Sequence, residues 1–182
     1  MLGLAVVRSL GAPAGPADAL LERTTDQSAT PAPLLPTQSR WSRIHVRDPY
    51  VRDAVMRGLD DAADRLKTAT CQALLTEFVD HEGRLLKDRL TALNLTSQEY
   101  LGVLLFEDGD IGPQCERPGV LAFTAAGSRV VRVCGRAFSR ASRQDPAEGW
   151  AVIIHELLHS LGLGENPPEP RHITHRVRKS CW

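Results

Sequence analysis

Two histidines and a glutamate, His155, Glu156 and His159, fall in a five-residue run that continues through Ser160, Leu161, Gly162, Leu163 and Gly164 to Glu165. On a helix, positions four apart lie on one face about a turn from each other, so both imidazoles reach one ion while Glu156 sits beside it. Imidazole nitrogen and carboxylate oxygen suit zinc, and three such protein ligands leave its fourth position open to water. Zinc lowers the pKa of that water toward ~7, and a neighbouring carboxylate can then take its proton. These types at this spacing point to hydrolysis with Glu156 as the general base.

The elements that must hold these side chains are signalled nearby. Asp145-Pro146-Ala147-Glu148 carries three helix-start signals, an acidic N-cap, proline at the first helical position and glutamate at the third. Val152, Ile153, Leu157 and Leu161 supply apolar positions, and Gly162 supplies a stop in the left-handed conformation. The motif is therefore expected on the second half of a helix. Beyond it, 170–179 predicts a short basic helix on which His172 and His175 lie three apart. Glu165 stands first as third ligand, with His172, Glu169 and His175 as alternatives.

Upstream, Asp48-Pro49 opens an amphipathic helix whose apolar face is Val51, Val55, Leu59, Ala62 and Leu66. Further helical segments are expected over 72–79 and 84–93, and Thr96-Ser97-Gln98-Glu99 offers a capping-box start to another. A strand is expected over 102–106, ended by the acidic turn Glu107-Asp108-Gly109-Asp110; that turn lacks the spacing of a calcium loop and reads as solvated. Residues 120–124 and 129–134 flank Ala125-Ala126-Gly127-Ser128 as a β-hairpin. Arg129, Arg132, Arg136, Arg140 and Arg143 read as a solvated basic face, His45 and His81 as surface or structural histidines, and Asn94-Leu95-Thr96 fits a glycosylation acceptor in a eukaryotic secretory host. From 9 to 39 the chain is rich in Pro, Ala, Ser and Thr without an apolar period, so 1–39 reads as a disordered segment and 40–182 as the folded domain.

With its motif quoted above, the chain resembles the zincin metallopeptidases, and within them the metzincin branch, whose extended motif HExxHxxGxxH turns at the glycine to bring a third ligand to the metal. The matching positions are His155, Glu156, His159 and Gly162, and the third-ligand position falls on Glu165, where most metzincins have His and some have Asp. No methionine follows Glu165 in this sequence, the two present being Met1 and Met56, so no metzincin Met-turn is expected. A gluzincin arrangement, with its third ligand on a later helix, has 23 residues left after His159, too few for its usual form. The resemblance covers about 20 of the 182 residues. It implies a zincin-like α+β fold with N-terminal helices, a small sheet and the site helix near the C-terminus. It also implies a Zn2+ cofactor, a peptide or protein substrate, and a substrate wall for which the 120–134 hairpin is the candidate.

Composition adds bounds. At 182 residues and 42% hydrophobic content the chain suits one domain with a core. Basic and acidic residues number 22 each and aromatic residues make up 5%, which argues against a nucleic-acid surface, and no apolar run approaches the ~18 residues of a spanning helix. Cys71, Cys115, Cys134 and Cys181 contain no CxxC pair; of three possible pairings we favour Cys115 with Cys134 and Cys71 with Cys181, the alternative being four free thiols. The apolar start 1–7 followed by Ala12-Pro13-Ala14 loosely fits a signal remnant, and with the disulfides it leads to the expectation of a secreted or periplasmic protein. The sequence thus predicts a zinc metallopeptidase; the alternative is a metal-stabilised, non-catalytic binding module.

Overall fold

Asp48 begins the first long helix as its residue type predicts, its carboxylate accepting from the N–H groups of Tyr50 and Val51 at 2.8 and 3.3 Å. The computed structural model describes residues 40–182, and the expectation for 1–39 lies outside the described residues. Helix α1 (Pro49–Arg65) buries the whole predicted face, Val51, Val55, Leu59 and Ala62, with Leu66 at its C-cap. The Val and Leu side chains each contribute roughly 1.5–3 kcal/mol by leaving water, so this face outweighs any propensity term in the helix.

The segment after α1 is helical but broken. Two short helices, α2 (Ala69–Gln72) and α3 (Leu74–Glu77), replace the single one expected over 72–79, and Thr68 caps the first through its hydroxyl to the Cys71 N–H at 3.3 Å. Helix α4 (Leu86–Leu93) follows and ends on Asn94 in the left-handed conformation at φ 53°. The Thr96–Glu99 capping box is present, and it starts α5 (Ser97–Val103). This helix takes residues 102 and 103 from the predicted strand, which begins instead at Leu105, because the box fixes a helical turn that also buries Tyr100 and Leu101.

A four-stranded mixed sheet is formed by β1 (Ile44–His45), β2 (Leu105–Asp108), β3 (Ala122–Phe123) and β4 (Val130–Val133) in the order β1-β2-β4-β3. The first two pairings are parallel, while β3 and β4 form the predicted antiparallel hairpin, with Ala122 opposite Val133 and Phe123 opposite Arg132. Strand β3 is therefore an edge. A 3-10 turn at Pro113–Glu116 leads into this hairpin.

Helix α6 (Gly135–Gln144) was not anticipated, although Arg136, Arg140 and Arg143 at helical spacing were its signal. Those three arginines do form a solvated face, while Phe138 and Ser139 on the other side are buried. Asp110, from the acidic turn, accepts from the Gly135 N–H at 3.0 Å, Asp108 pairs with Arg47 at 2.7 Å and Glu107 with Arg132 at 3.2 Å. The remaining helices are α7 (Pro146–Ser160) and α8 (Pro170–Cys181), the latter being the basic helix expected near the C-terminus.

Both favoured disulfides are present. Cys71–Cys181 joins α2 to the end of α8, and Cys115–Cys134 closes the segment that carries the hairpin. The molecule is thus α+β, with α7 packed between α1, α6 and α8. No helix among the described residues is long and apolar enough to cross a membrane.

Candidate metal centre

Asp145 caps α7 through the Ala147 N–H at 2.9 Å. Glu148 does not complete a capping box; with Asp145 it binds the Arg178 guanidinium of α8, the Asp145 contact being 2.7 Å. At the other end of α7 every carbonyl of the last turn has a partner. Leu163 N–H reaches Leu158 O at 3.1 Å and Gly162 N–H reaches His159 O at 2.8 Å, the paired bonds of a Schellman motif. His159 O also accepts from the Gly127 N–H of the hairpin loop at 2.9 Å, Ser160 O accepts from the Tyr100 hydroxyl at 2.9 Å, and Leu157 O accepts from Leu161 N–H at 3.1 Å. Gly162 has φ +113°, and a Cβ there would lie 2.9 Å from the Asp80 Cβ, so both conformation and space require glycine.

This turn returns the chain past the helix end and brings Glu165 to the histidines. His155 and His159 Nε2 atoms are 2.9 Å apart, and Glu165 Oε1 lies 3.2 Å from His159 Nε2 and 3.9 Å from His155 Nε2. One ligand atom from each of the three residues falls within 4.8 Å of the others. The alternatives for the third position are placed otherwise. Glu169 is the N-cap of α8, His172 is exposed with its ring edge-on to Phe78 at 6.5 Å, and His175 is exposed.

The other ring nitrogens fix which atoms face inward. His159 Nδ1 lies 2.8 Å from Leu163 O, which can only accept, so Nδ1 carries the proton and a neutral His159 presents its Nε2 lone pair to the site. His155 Nδ1 lies 3.0 Å from Thr174 Oγ1 on α8. A carboxylate oxygen at 3.2 Å from an imidazole lone pair is a repulsive pairing unless positive charge lies between them. The three donors therefore fit a cation. Tetrahedral zinc, with ligand bonds of about 2.0–2.2 Å, sets neighbouring ligand atoms roughly 3.3–3.6 Å apart, and the observed separations of 2.9, 3.2 and 3.9 Å bracket that range.

Burial shapes the electrostatics. Burial, with the neighbouring His159 adding to it, pushes the His155 imidazole down to about 3, so this ring is neutral and able to coordinate. Burial pushes Glu156 up to about 8; the Thr124 hydroxyl opposes that rise and the charge of Glu165 adds to it. A dication alongside returns such a group to the carboxylate form. Glu156 Oε2 is buried without a hydrogen-bond partner among the described residues.

His155, Glu156, His159 and Glu165 line one cavity of about 440 Å³, together with residues 119–125 on the β3 side and Val152, Pro170 and Thr174 on the helical side. Thr174, the Leu163 carbonyl and Thr124 were not anticipated as site groups. The carbonyl follows from the glycine stop, whereas nothing in the spacing of Thr124 or Thr174 ties either to the motif. Comparison with known protein families, curated proteins and solved structures finds no match to this chain.

Proposed function

We propose that the chain is an exported, zincin-like zinc metallopeptidase in which His155, His159 and Glu165 hold Zn2+ and Glu156 is the general base. The observation that carries this reading is the convergence of two inward-facing imidazole nitrogens and the Glu165 carboxylate, with a buried glutamate beside them, its Oε2 without a hydrogen-bond partner among the described residues, on an accessible cavity. A zinc ion held there supplies Lewis acidity, polarising a peptide carbonyl and acidifying water. Glu156 takes a proton from the attacking water as its oxygen bonds to the carbonyl carbon. It then gives that proton to the amine nitrogen as the C–N bond breaks, yielding a carboxylic acid and an amine.

The edge position of β3 beside α7 supports the hairpin as the wall along which an extended peptide lies, since an edge strand has backbone groups free to pair. Among the described residues three protein ligands are gathered, rather than four, which favours an open site over a closed structural one. The two disulfides fit an oxidising compartment. The test is to strip the protein with a chelator and restore it with zinc, following hydrolysis of denatured casein. Stoichiometric zinc uptake and zinc-restored cleavage are expected, with both lost in His155→Ala. Zinc uptake without cleavage would leave the non-catalytic module as the better account.

A further inference from the structure

Two polar atoms at this cavity are left without partners. Thr124 Oγ1, just past the end of β3, and Glu156 Oε2, on α7, are both buried, and neither has a hydrogen-bond partner among the described residues. Both residues line the same cavity. Buried oxygens are normally satisfied. A hydroxyl can donate and a carboxylate can only accept, so the two are chemically matched to each other.

Their supports differ in stiffness. Thr124 is β-branched and rotates little at χ1. Its loop is pinned to the helix end by Gly127 N–H to His159 O at 2.9 Å, and the Cys115–Cys134 disulfide closes the segment that carries it. Glu156 has a longer side chain and its Oε2 has no hydrogen-bond partner among the described residues, yet a general base must be held within hydrogen-bond reach of the proton it takes.

We propose that Thr124 is a positioning residue for Glu156, its hydroxyl donating to the carboxylate and holding the other oxygen toward the cavity. The proposal rests on the reading of Glu156 as general base. Thr124 keeps its proton throughout, and all proton transfer runs through Glu156.

Thr124→Val keeps the branched shape and removes the hydroxyl; Thr124→Ser keeps the hydroxyl. On denatured casein, Thr124→Val is expected to lower kcat by roughly 10- to 100-fold, the scale of a small misplacement of a catalytic group, with KM and zinc content unchanged, and Thr124→Ser is expected to recover most of the loss. Wild-type kcat in Thr124→Val, a Thr124→Ser variant as impaired as Thr124→Val, or a loss traced to missing zinc would each overturn it. A crystal structure of the zinc-loaded protein gives a second readout, expected to show the hydroxyl within hydrogen-bond distance of the Glu156 carboxylate; a hydroxyl bonded elsewhere overturns the proposal. If the zinc-loaded wild type cleaves nothing, the assignment of Glu156 as base fails, while the crystal contact still decides whether Thr124 holds it.

Discussion

At the residue scale, the site is a set of side chains whose second atoms are as well placed as their first. His155 and His159 turn Nε2 inward because their Nδ1 atoms are held by Thr174 and by the Leu163 carbonyl. Such supporting groups fix ring orientation and commonly contribute 10- to 100-fold to metal affinity. Thr174→Val should therefore weaken zinc binding by about tenfold, measured by competition with a chromogenic chelator, while far-UV circular dichroism stays unchanged. The two histidines and Glu156 were legible in the sequence because helix geometry fixes residues four apart. Glu165 was legible as a ranked choice, since Gly162 marks where the chain turns back. Thr124 and Thr174 were not, because each reaches the site from an element packed against α7 rather than from α7 itself.

At the element scale, α7 is positioned by close approach to α1. A Cβ at Gly58 would meet Ile153 Cδ1 at 2.8 Å and the Gly149 carbonyl carbon at 3.2 Å, so the two helices cross over a pair of glycines. Gly58→Ala is expected to destabilise the fold by about 1–3 kcal/mol, as overpacking does, despite alanine's better helix propensity. Urea unfolding followed by Trp fluorescence measures it; a variant as stable as wild type would show that the crossing is not tight. Helix α1, the start of α7 and the hairpin could all be read from caps and apolar spacing. Helix α6 could not, because its basic face suggested a solvated surface without saying which backbone carried it. The strand at 105–108 was misplaced by two or three residues because its apolar run is shared with α5, where the capping box prevails.

At the scale of the whole molecule, α8 holds the C-terminal end of the chain against the rest. Cys71–Cys181 anchors it covalently, Arg176 binds Glu77 at 2.5 Å and Arg178 binds Asp145 at 2.7 Å. The Arg176 guanidinium holds Glu77 below its ordinary 4.5, and the Arg178 guanidinium with the Ala147 N–H holds Asp145 below 3.8. Burial pushes Asp80 up, but the Arg84 N–H and guanidinium and the Glu82 N–H outweigh it and hold the carboxyl below 3.8. Carboxyls with depressed folded pKa values bind protons more readily once unfolded. Their stabilisation is full above those unfolded values and is lost as pH falls through the lower folded ones. The urea midpoint should accordingly fall as pH drops below about 4.5, and Arg176→Gln with Arg178→Gln should flatten that fall; an unchanged acid dependence in the double variant would contradict it. The ion pairs that α8 makes could not be read from the sequence, since Glu77 and Arg176 lie 99 residues apart and Asp145 and Arg178 lie 33 apart. The disulfide pairing could, because Cys115 and Cys134 flank one predicted β region and that choice leaves Cys71 for Cys181.

The most direct measurement on the central claim separates holding the metal from using it, in one protein. Glu156→Gln preserves shape and leaves His155, His159 and Glu165 untouched. It is expected to bind stoichiometric zinc and to lose hydrolysis of denatured casein by at least ~100-fold, the lower range for a general base. A Glu156→Gln protein that binds zinc and cleaves as well as wild type would contradict the account.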